Sequence, residues 1–200
     1  MTPAALRRPG AVAADIEGRL VVSDTGHHRV LIGHVVGNAF DVRHVVGSGE
    51  QGLRDGSFEE AAFDEPRGVT LSGDMLIVAD RGNHSIRMID LAARNVATMA
   101  GTGEPAAGPV AGGDPLESAL RSPWDVLLNE YDLYIAMADA RPIWRLDLKA
   151  GALMGPAYDP AIRRPQAEDV REAVRRYGPP AGATPIEPTP RKKHVITMDV

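Results

Sequence analysis

Two short stretches of the sequence combine histidine, aspartate and glycine, and histidine and aspartate are residue types that bind metal ions or transfer protons. The first is SDTGHHRVLIG at residues 23–33, and the second is ADRGNHSIRM at residues 79–88. The residues of interest are Asp24, Gly26 and His28 in the first stretch and Asp80, Gly82 and His84 in the second. A catalytic metal site would require three or more such ligands to converge around an open position.

The recurrence of these residue types at equivalent positions favours a structural role over a single asymmetric reaction site. Each aspartate ends a predicted strand, where its carboxylate can accept hydrogen bonds from backbone amides of the turn. The glycine two residues later is expected to supply a positive φ without steric cost. We therefore interpret both sets as turn residues, and the sequence predicts no catalytic residue, no metal site and no cofactor.

The chain repeats itself with a period of 57 residues, which Pro9, Pro66 and Pro123 mark. Each proline precedes a similar passage, in which the runs RLVVS, DMLIVA and DLYIAM are equivalent. These runs are apolar at successive positions, which indicates strands that are covered on both faces. The segments VRHVVG and VATMAG supply further strands. Repeated units of three to four short strands are typical of β-propeller blades.

The sequence thus predicts an all-β fold, a partial β-propeller of about three blades, each a four-stranded antiparallel sheet. The propeller is expected to span residues 8–151, with blades at 8–49, 65–103 and 122–151. Between the blades, GSGEQG aligns with GTGEPA, so the connecting loops repeat as well.

The words LIVADRGNHSIRMIDL, with AAFDEPRGV before them and AGTG behind them, resemble the NHL repeat, which builds six-bladed β-propellers. The resemblance covers about residues 8–151 and implies an NHL-type propeller. The longer word GSGEQGLRDGSFEEAAFDEPRGV is similar to NHL proteins in which a thioredoxin-like domain precedes the propeller. No thioredoxin-like segment is legible in these 200 residues, and Asp139, Arg141 and Pro142 stand in place of the glycine–histidine turn in the third copy.

The sequence changes character after Gly151. Residues 152–200 are rich in proline and are expected to be a partly disordered tail. Within them, PQAEDVREAVRRYG predicts one short amphipathic helix at about 166–177, with acidic residues in its first turn and arginines in its last. No fourth blade is legible, so we expect a fragment whose reading frame was truncated or shifted near residue 155.

Composition narrows the function classes. The sequence has no cysteine, which excludes thiol redox chemistry within this chain and fits a cytoplasmic location. No apolar run approaches the roughly 18 residues that a membrane helix needs. Residues 1–150 carry 14 Lys and Arg against 21 Asp and Glu, and this acidic balance argues against nucleic-acid binding.

These observations favour a non-catalytic binding or scaffold module that engages a protein or a small ligand through its loops. The predicted contact surface comprises Arg81, Asn83 and Arg141 together with Asp55, Glu59 and the rest of the acidic loop 50–65. These residues have an equally plain interpretation as solvated loop charges. The two tryptophans, Trp124 and Trp144, are expected to pack between blades.

Two alternatives remain open on the sequence. One is a metal-dependent propeller enzyme of the lyase or lactonase kind, which the resemblance suggests and for which Asp24, His28, Asp80 and His84 are the candidate ligands. The other is a truncated relative of a thioredoxin-like NHL redox protein. Three blades also leave two terminal apolar faces bare, which predicts a protein partner or self-association through those faces.

Overall fold

A computed structural model describes residues 5–110, 112–138 and 143–155 of the chain. They form three antiparallel sheets that follow one another along the chain, one for each predicted blade. The predicted helix at 166–177 and Arg141 lie outside the described residues.

Blade one is a four-stranded sheet whose strands pair in chain order. Its strands are β1 (Val12–Ala14), β2 (Arg19–Asp24), β3 (Arg29–Val36) and β4 (Ala39–Val46). Gly18 and Gly37 have φ values of 80° and 61° in the turns between β1 and β2 and between β3 and β4. Glycine is favoured there because the left-handed conformation carries no Cβ penalty. A single turn of 3-10 helix, Thr25–His27, connects β2 to β3.

Blade two has the order β5-β9-β8-β7-β6, so a short strand from the preceding loop is added to its outer edge. Its strands are β5 (Gly56–Ser57), β6 (Pro66–Ser72), β7 (Met75–Asp80), β8 (Ser85–Asp90) and β9 (Asn95–Ala100). Five successive residues of β7 are buried, as its unbroken apolar run predicts, because a neighbouring blade covers each face of this sheet.

Blade three again pairs its strands in chain order. Its strands are β10 (Pro123–Asn129), β11 (Asp132–Met137), β12 (Trp144–Asp147) and β13 (Ala152–Met154). Burial alternates along β11, although its sequence is as apolar as that of β7, because only one face of this sheet has a neighbour among the described residues. The blade also runs past residue 151, since Gly151, at φ 62°, closes a turn from which β13 returns to pair with β12.

Two apolar cores lie between the blades. The core between blades one and two contains residues of both sheets and of the connecting loop: Val21, Val30, Ile32, Val46, Phe58, Ala61, Phe63, Val69, Leu76, Val78, Ile89 and Val96. The core between blades two and three contains Ile77, Ala79, Ile86, Ala100, Leu120, Val126, Leu133, Ile135, Met137, Trp144, Leu146 and Leu153. Alternate residues of β7 belong to different cores, so blade two lies between the other two blades.

The connecting loops are built alike. Gly47 and Gly101 have φ values of 106° and 97°, and Gly49 and Gly103 have 84° and 89°. The Gly-Ser-Gly and Gly-Thr-Gly words therefore mark the same backbone path in two blades. Each loop also contributes side chains to a core. The first loop contributes Phe58, Ala61 and Phe63, and the second contributes Leu120.

The first strands of the three blades converge near their starts. Gly10 and Gly68 allow this approach, because a Cβ on Gly10 would lie 3.3 Å from the Cα of Arg67, and one on Gly68 would lie 3.0 Å from the carbonyl oxygen of Trp124. The buried Thr25 hydroxyl also donates a hydrogen bond to the carbonyl of Pro66 at 2.6 Å. Gly10, Arg67 and Trp124, which directly follow the repeat prolines, therefore lie where consecutive blades meet.

Candidate functional site

Asp24 ends β2 and is fully buried. Its carboxylate contacts the backbone N–H of Arg7 at 2.7 Å, Nδ1 of His27 at 2.9 Å and Nε of Arg29 at 2.9 Å. Burial alone would raise the pKa of Asp24, but these bonds outweigh it and hold the pKa below its usual value. The carboxylate therefore stays ionised, and its oxygens are engaged in closing the turn.

Asp80 occupies the same position in blade two, at the end of β7. It accepts hydrogen bonds from the backbone N–H of Asp64 at 2.8 Å, the amide of Asn83 at 2.8 Å and the guanidinium of Arg87 at 2.9 Å. Arg87 is itself fully buried and reaches Asp55 at 2.6 Å. Burial raises the pKa of Asp80 to about 6, against the bonds that favour its ionised form.

His28 and His84 end the two turns and bind the start of the next blade. Nδ1 of His28 accepts the backbone N–H of Glu65 at 3.2 Å, and Nδ1 of His84 accepts that of Ser122 at 2.9 Å. Each donor directly precedes a repeat proline and has a positive φ, 50° for Glu65 and 41° for Ser122. This conformation is costly for a residue before proline, so the bond helps to hold it. We call these two contacts the histidine latches.

The predicted role of the turn glycines is wrong. The left-handed residues of the two turns are His28 and His84, with φ values of 52° and 48°, whereas Gly26 and Gly82 do not have positive φ. Glycine is needed instead for close approach: a Cβ on Gly26 would lie 2.7 Å from the carbonyl oxygen of Arg7. A Cβ on Gly82 would collide with the carboxylate of Asp64.

Blade three replaces the aspartate with a softer acceptor. Met137 stands at the position of Asp80, and its sulfur lies 3.5 Å from the backbone N–H of Arg121. Trp144 stands at the position of Arg87, so the buried ion pair of blade two becomes an apolar pair. Residues 139–142, which would complete this turn, lie outside the described residues.

The turn residues do not converge as a metal site would require. Within residues 5–110, 112–138 and 143–155, no group of three or more His, Asp or Glu side chains is placed to hold a metal ion. The four candidate ligands are distributed over two blades, and each bonds groups of its own turn or of the next blade. These four side chains therefore do not form a shared metal site among the described residues.

Three of the predicted binding residues are engaged internally. Asn83 is buried, and its amide donates to Asp80 and to the carbonyl of Gly52. Asp55 accepts from Arg87 and from the backbone and hydroxyl of Thr98, and these bonds lower its pKa against the opposing effect of burial. Glu59 pairs with Arg94 at 2.9 Å on the surface. Much of the acidic loop therefore braces blade two.

The fourth described binding candidate, Arg81, lies on a surface whose other members the sequence reasoning missed. The guanidinium carbon of Arg67 lies 4.0 Å from the ring centroid of Trp124, and that of Arg81 lies 5.4 Å from it. We call these three residues the arginine–tryptophan shelf. Arg81 forms an ion pair with Glu65, which also lies 3.6 Å from Arg8. Arg67 and Trp124 each directly follow a repeat proline, and that shared position was the signal available in the sequence.

The two tryptophans differ in environment. Trp144 is 5% exposed within the core between blades two and three, as predicted. Trp124 packs between blades two and three, as predicted, but it lies against Arg67 and Arg81 and is 41% exposed. Its indole therefore presents a partly open aromatic surface.

Comparisons with known proteins agree with the repeat and the fold. The family model of the NHL repeat matches residues 63–87, which span the turn of blade two. NHL repeat-containing protein 2 from Gallus gallus is 40% identical over 162 residues, which are 76% of this chain and 22% of that protein. The protein SUPPRESSOR OF QUENCHING 1, chloroplastic, from Arabidopsis thaliana is 36% identical over 151 residues, 73% of this chain and 14% of that protein. The chain thus spans less than a quarter of the length of these relatives.

A solved structure shares the sheet arrangement. It is a structural genomics protein of unknown function from Bacteroides thetaiotaomicron, with a TM-score of 0.56 and 25% identity over 65% of this chain and 32% of its own. The prediction of a partial, all-β propeller is confirmed by the antiparallel blades and this likeness. Among the described residues, no helix is long and apolar enough to cross a membrane.

Proposed function

This chain is an NHL-repeat protein that forms part of a β-propeller, and we propose that it serves as a non-catalytic binding module. It engages a protein through the face of blade three that no described residue covers. The observation that carries this proposal is an apolar cleft on that face. In blade two, the equivalent residues are buried in the core against blade three.

The repeat itself shows what an occupied face looks like. Ile77, Ala79 and Ile86 of blade two are fully buried in the core that blade three covers. The equivalent residues of blade three are Tyr134, Ala136 and Ile143, by the pairing of their strands. They line an open cleft instead.

The cleft is apolar enough to favour a protein contact. Leu127 and Ile143 on its lining are 63% and 44% exposed. Covering side chains of this size releases ordered water and is favourable by about 1.5–3 kcal/mol for each one that is fully buried. Adjoining exposed apolar residues of this kind are candidates for an interaction surface.

Blade one is less open than the sequence predicts. Val22 and Leu31 point away from blade two, since their neighbours Val21, Val30 and Ile32 belong to the core between the blades. Both are nevertheless buried, at 7% and 2% exposure. We therefore propose that the contact lies on blade three. The protein partner to test first is a second copy of the chain.

Light scattering after size-exclusion chromatography tests this proposal with the 200-residue chain. We expect a mass above the 21.3 kDa of one chain that rises with concentration, and a shift toward 21.3 kDa in Leu127→Asp. Leu116→Asp is the matched control, because Leu116 is also exposed but lies in the loop before blade three, away from the cleft. A wild-type chain that stays at one mass, unchanged by Leu127→Asp, would overturn self-association through this face.

A further inference from the structure

We propose that the arginine–tryptophan shelf, Arg67, Arg81 and Trp124, binds a ligand that carries a carboxylate group. The shelf uses side chains other than those of the apolar cleft on blade three. The two proposals are therefore independent, and each can fail without the other.

The geometry leaves a donor fork free. The guanidinium carbon of Arg67 lies over the Trp124 ring, 4.0 Å from its centroid, so the ring restricts where this guanidinium can move. Arg67 has no ion-pair partner among the described residues, and its Nε is buried without a hydrogen-bond acceptor there. A guanidinium held in this way is prepared for a bidentate bond, because it loses little freedom on binding.

The lack of an ion pair to Arg67 among the described residues is unexpected in this chain. Residues 1–150 carry an excess of acidic over basic residues, and other arginines of the blades find acidic partners. Asp125 follows Trp124 directly, yet its Oδ1 accepts the backbone N–H of Val126 at 3.0 Å. Glu65 is already shared by Arg81 and Arg8. Among the described residues, the Arg67 side chain therefore has neither an ion pair nor a hydrogen bond to a carboxylate.

The charge and the aromatic ring together select the class of ligand. A single unpaired guanidinium matches the single charge of a carboxylate and its two coplanar oxygens. A phosphate monoester carries about −1.5 to −2 at neutral pH and would be poorly compensated within an acidic body. The 41% exposed indole offers an apolar surface to the carbon chain that carries the carboxylate. The source is either a free small carboxylic acid or an acidic residue of another protein.

The indole N–H signals in an NMR titration provide a direct readout, since the chain has two tryptophans. Trp124→Phe assigns them, and the buried Trp144 serves as an internal reference for folding. The probes are glutarate, for the free acid, and a blocked peptide Ac-Gly-Glu-Gly-NH2, for a protein side chain. Sodium chloride at matched ionic strength and methyl phosphate are the comparison ligands.

We expect one or both carboxylate probes to shift the Trp124 signal with saturation, and Arg67→Gln to weaken binding by about tenfold or more. Arg43→Gln is the matched control, because Arg43 is an exposed arginine of blade one, away from the shelf. Leu127→Asp should leave this binding unchanged. An equal shift with chloride, a stronger one with methyl phosphate, or full binding by Arg67→Gln would each overturn the proposal.

Discussion

Nδ1 of His84 accepts a hydrogen bond from the backbone N–H of Ser122 at 2.9 Å, and this bond connects the turn of blade two to the residue directly before blade three. His28 makes the same contact with Glu65, one repeat earlier. In both pairs the histidine and its donor are left-handed. The histidines that first suggest chemistry thus bind consecutive blades together.

The latch makes a prediction about His84. His84→Ala removes an acceptor from a partly buried backbone N–H and should lower the free energy of unfolding by about 1–2 kcal/mol. His84→Gly loses the same bond but relieves the left-handed strain, so it should cost about 1 kcal/mol less. Urea unfolding followed by fluorescence measures both. His34→Ala, at an exposed histidine, is the control, and equal losses in all three variants would contradict the latch.

The raised pKa of Asp80 predicts that the free energy of unfolding depends on pH. Its pKa is raised from 3.8 to about 6 in the folded chain, so between pH 4 and 6 the folded state holds a proton that the unfolded state has released. The stability from this group is therefore fully present below about pH 4 and is lost as pH rises to 6, by about 3 kcal/mol. The free-energy difference between wild type and Asp80→Asn should fall over that range.

Asp24 provides the opposite control for the same measurement. Its pKa is lowered in the folded chain, so its contribution is present above the unfolded value of 3.8 and is lost as pH falls below it. The free-energy difference between wild type and Asp24→Asn should therefore fall as pH falls from about 5 to 3, the opposite direction to Asp80→Asn. Parallel curves for the two variants would show that burial does not govern Asp80.

The close approach of blades two and three predicts an effect at Gly68. A Cβ there would meet the backbone of Asp125 and of Trp124, so Gly68→Ala should destabilise the chain by about 1–3 kcal/mol. Gly108→Ala should stay within about 0.5 kcal/mol, because nothing lies within 4 Å of a Cβ at Gly108. Denaturant midpoints compare them. A neutral Gly68→Ala would mean that the first strands can separate without cost.

The exchange of an ion pair for an apolar pair predicts coupling between two positions of blade three. Met137→Asp places a carboxylate in the core without a cationic partner and should cost about 3 kcal/mol or more. Adding Trp144→Arg supplies the partner that blade two has, so the double variant should be about 0.5–3 kcal/mol more stable than the sum of the single effects. A double-mutant cycle in urea measures this, and strict additivity would contradict it.

The sequence by itself determined the repeat and the features that depend on its period alone. The spacing of Pro9, Pro66 and Pro123 and the apolar runs specified three blades, because strand pairing within a blade is local. The shared backbone path of the connecting loops could also be predicted from their matching glycines, because glycine is favoured at positive φ.

Only the tertiary structure decided which groups meet across the seams. His28 contacts a backbone group 37 residues away, and Arg67 and Trp124 stack although a whole repeat separates them. Such pairs depend on how blades are rotated against each other, which period does not encode. For the same reason Asn83, which the sequence places on a loop surface, is buried beside Asp80, and Asp55 bonds to Arg87 although it remains exposed. The exposure of a strand's side chains depends on the neighbouring blades. Burial therefore differs between β7 and β11, although their sequences are similarly apolar.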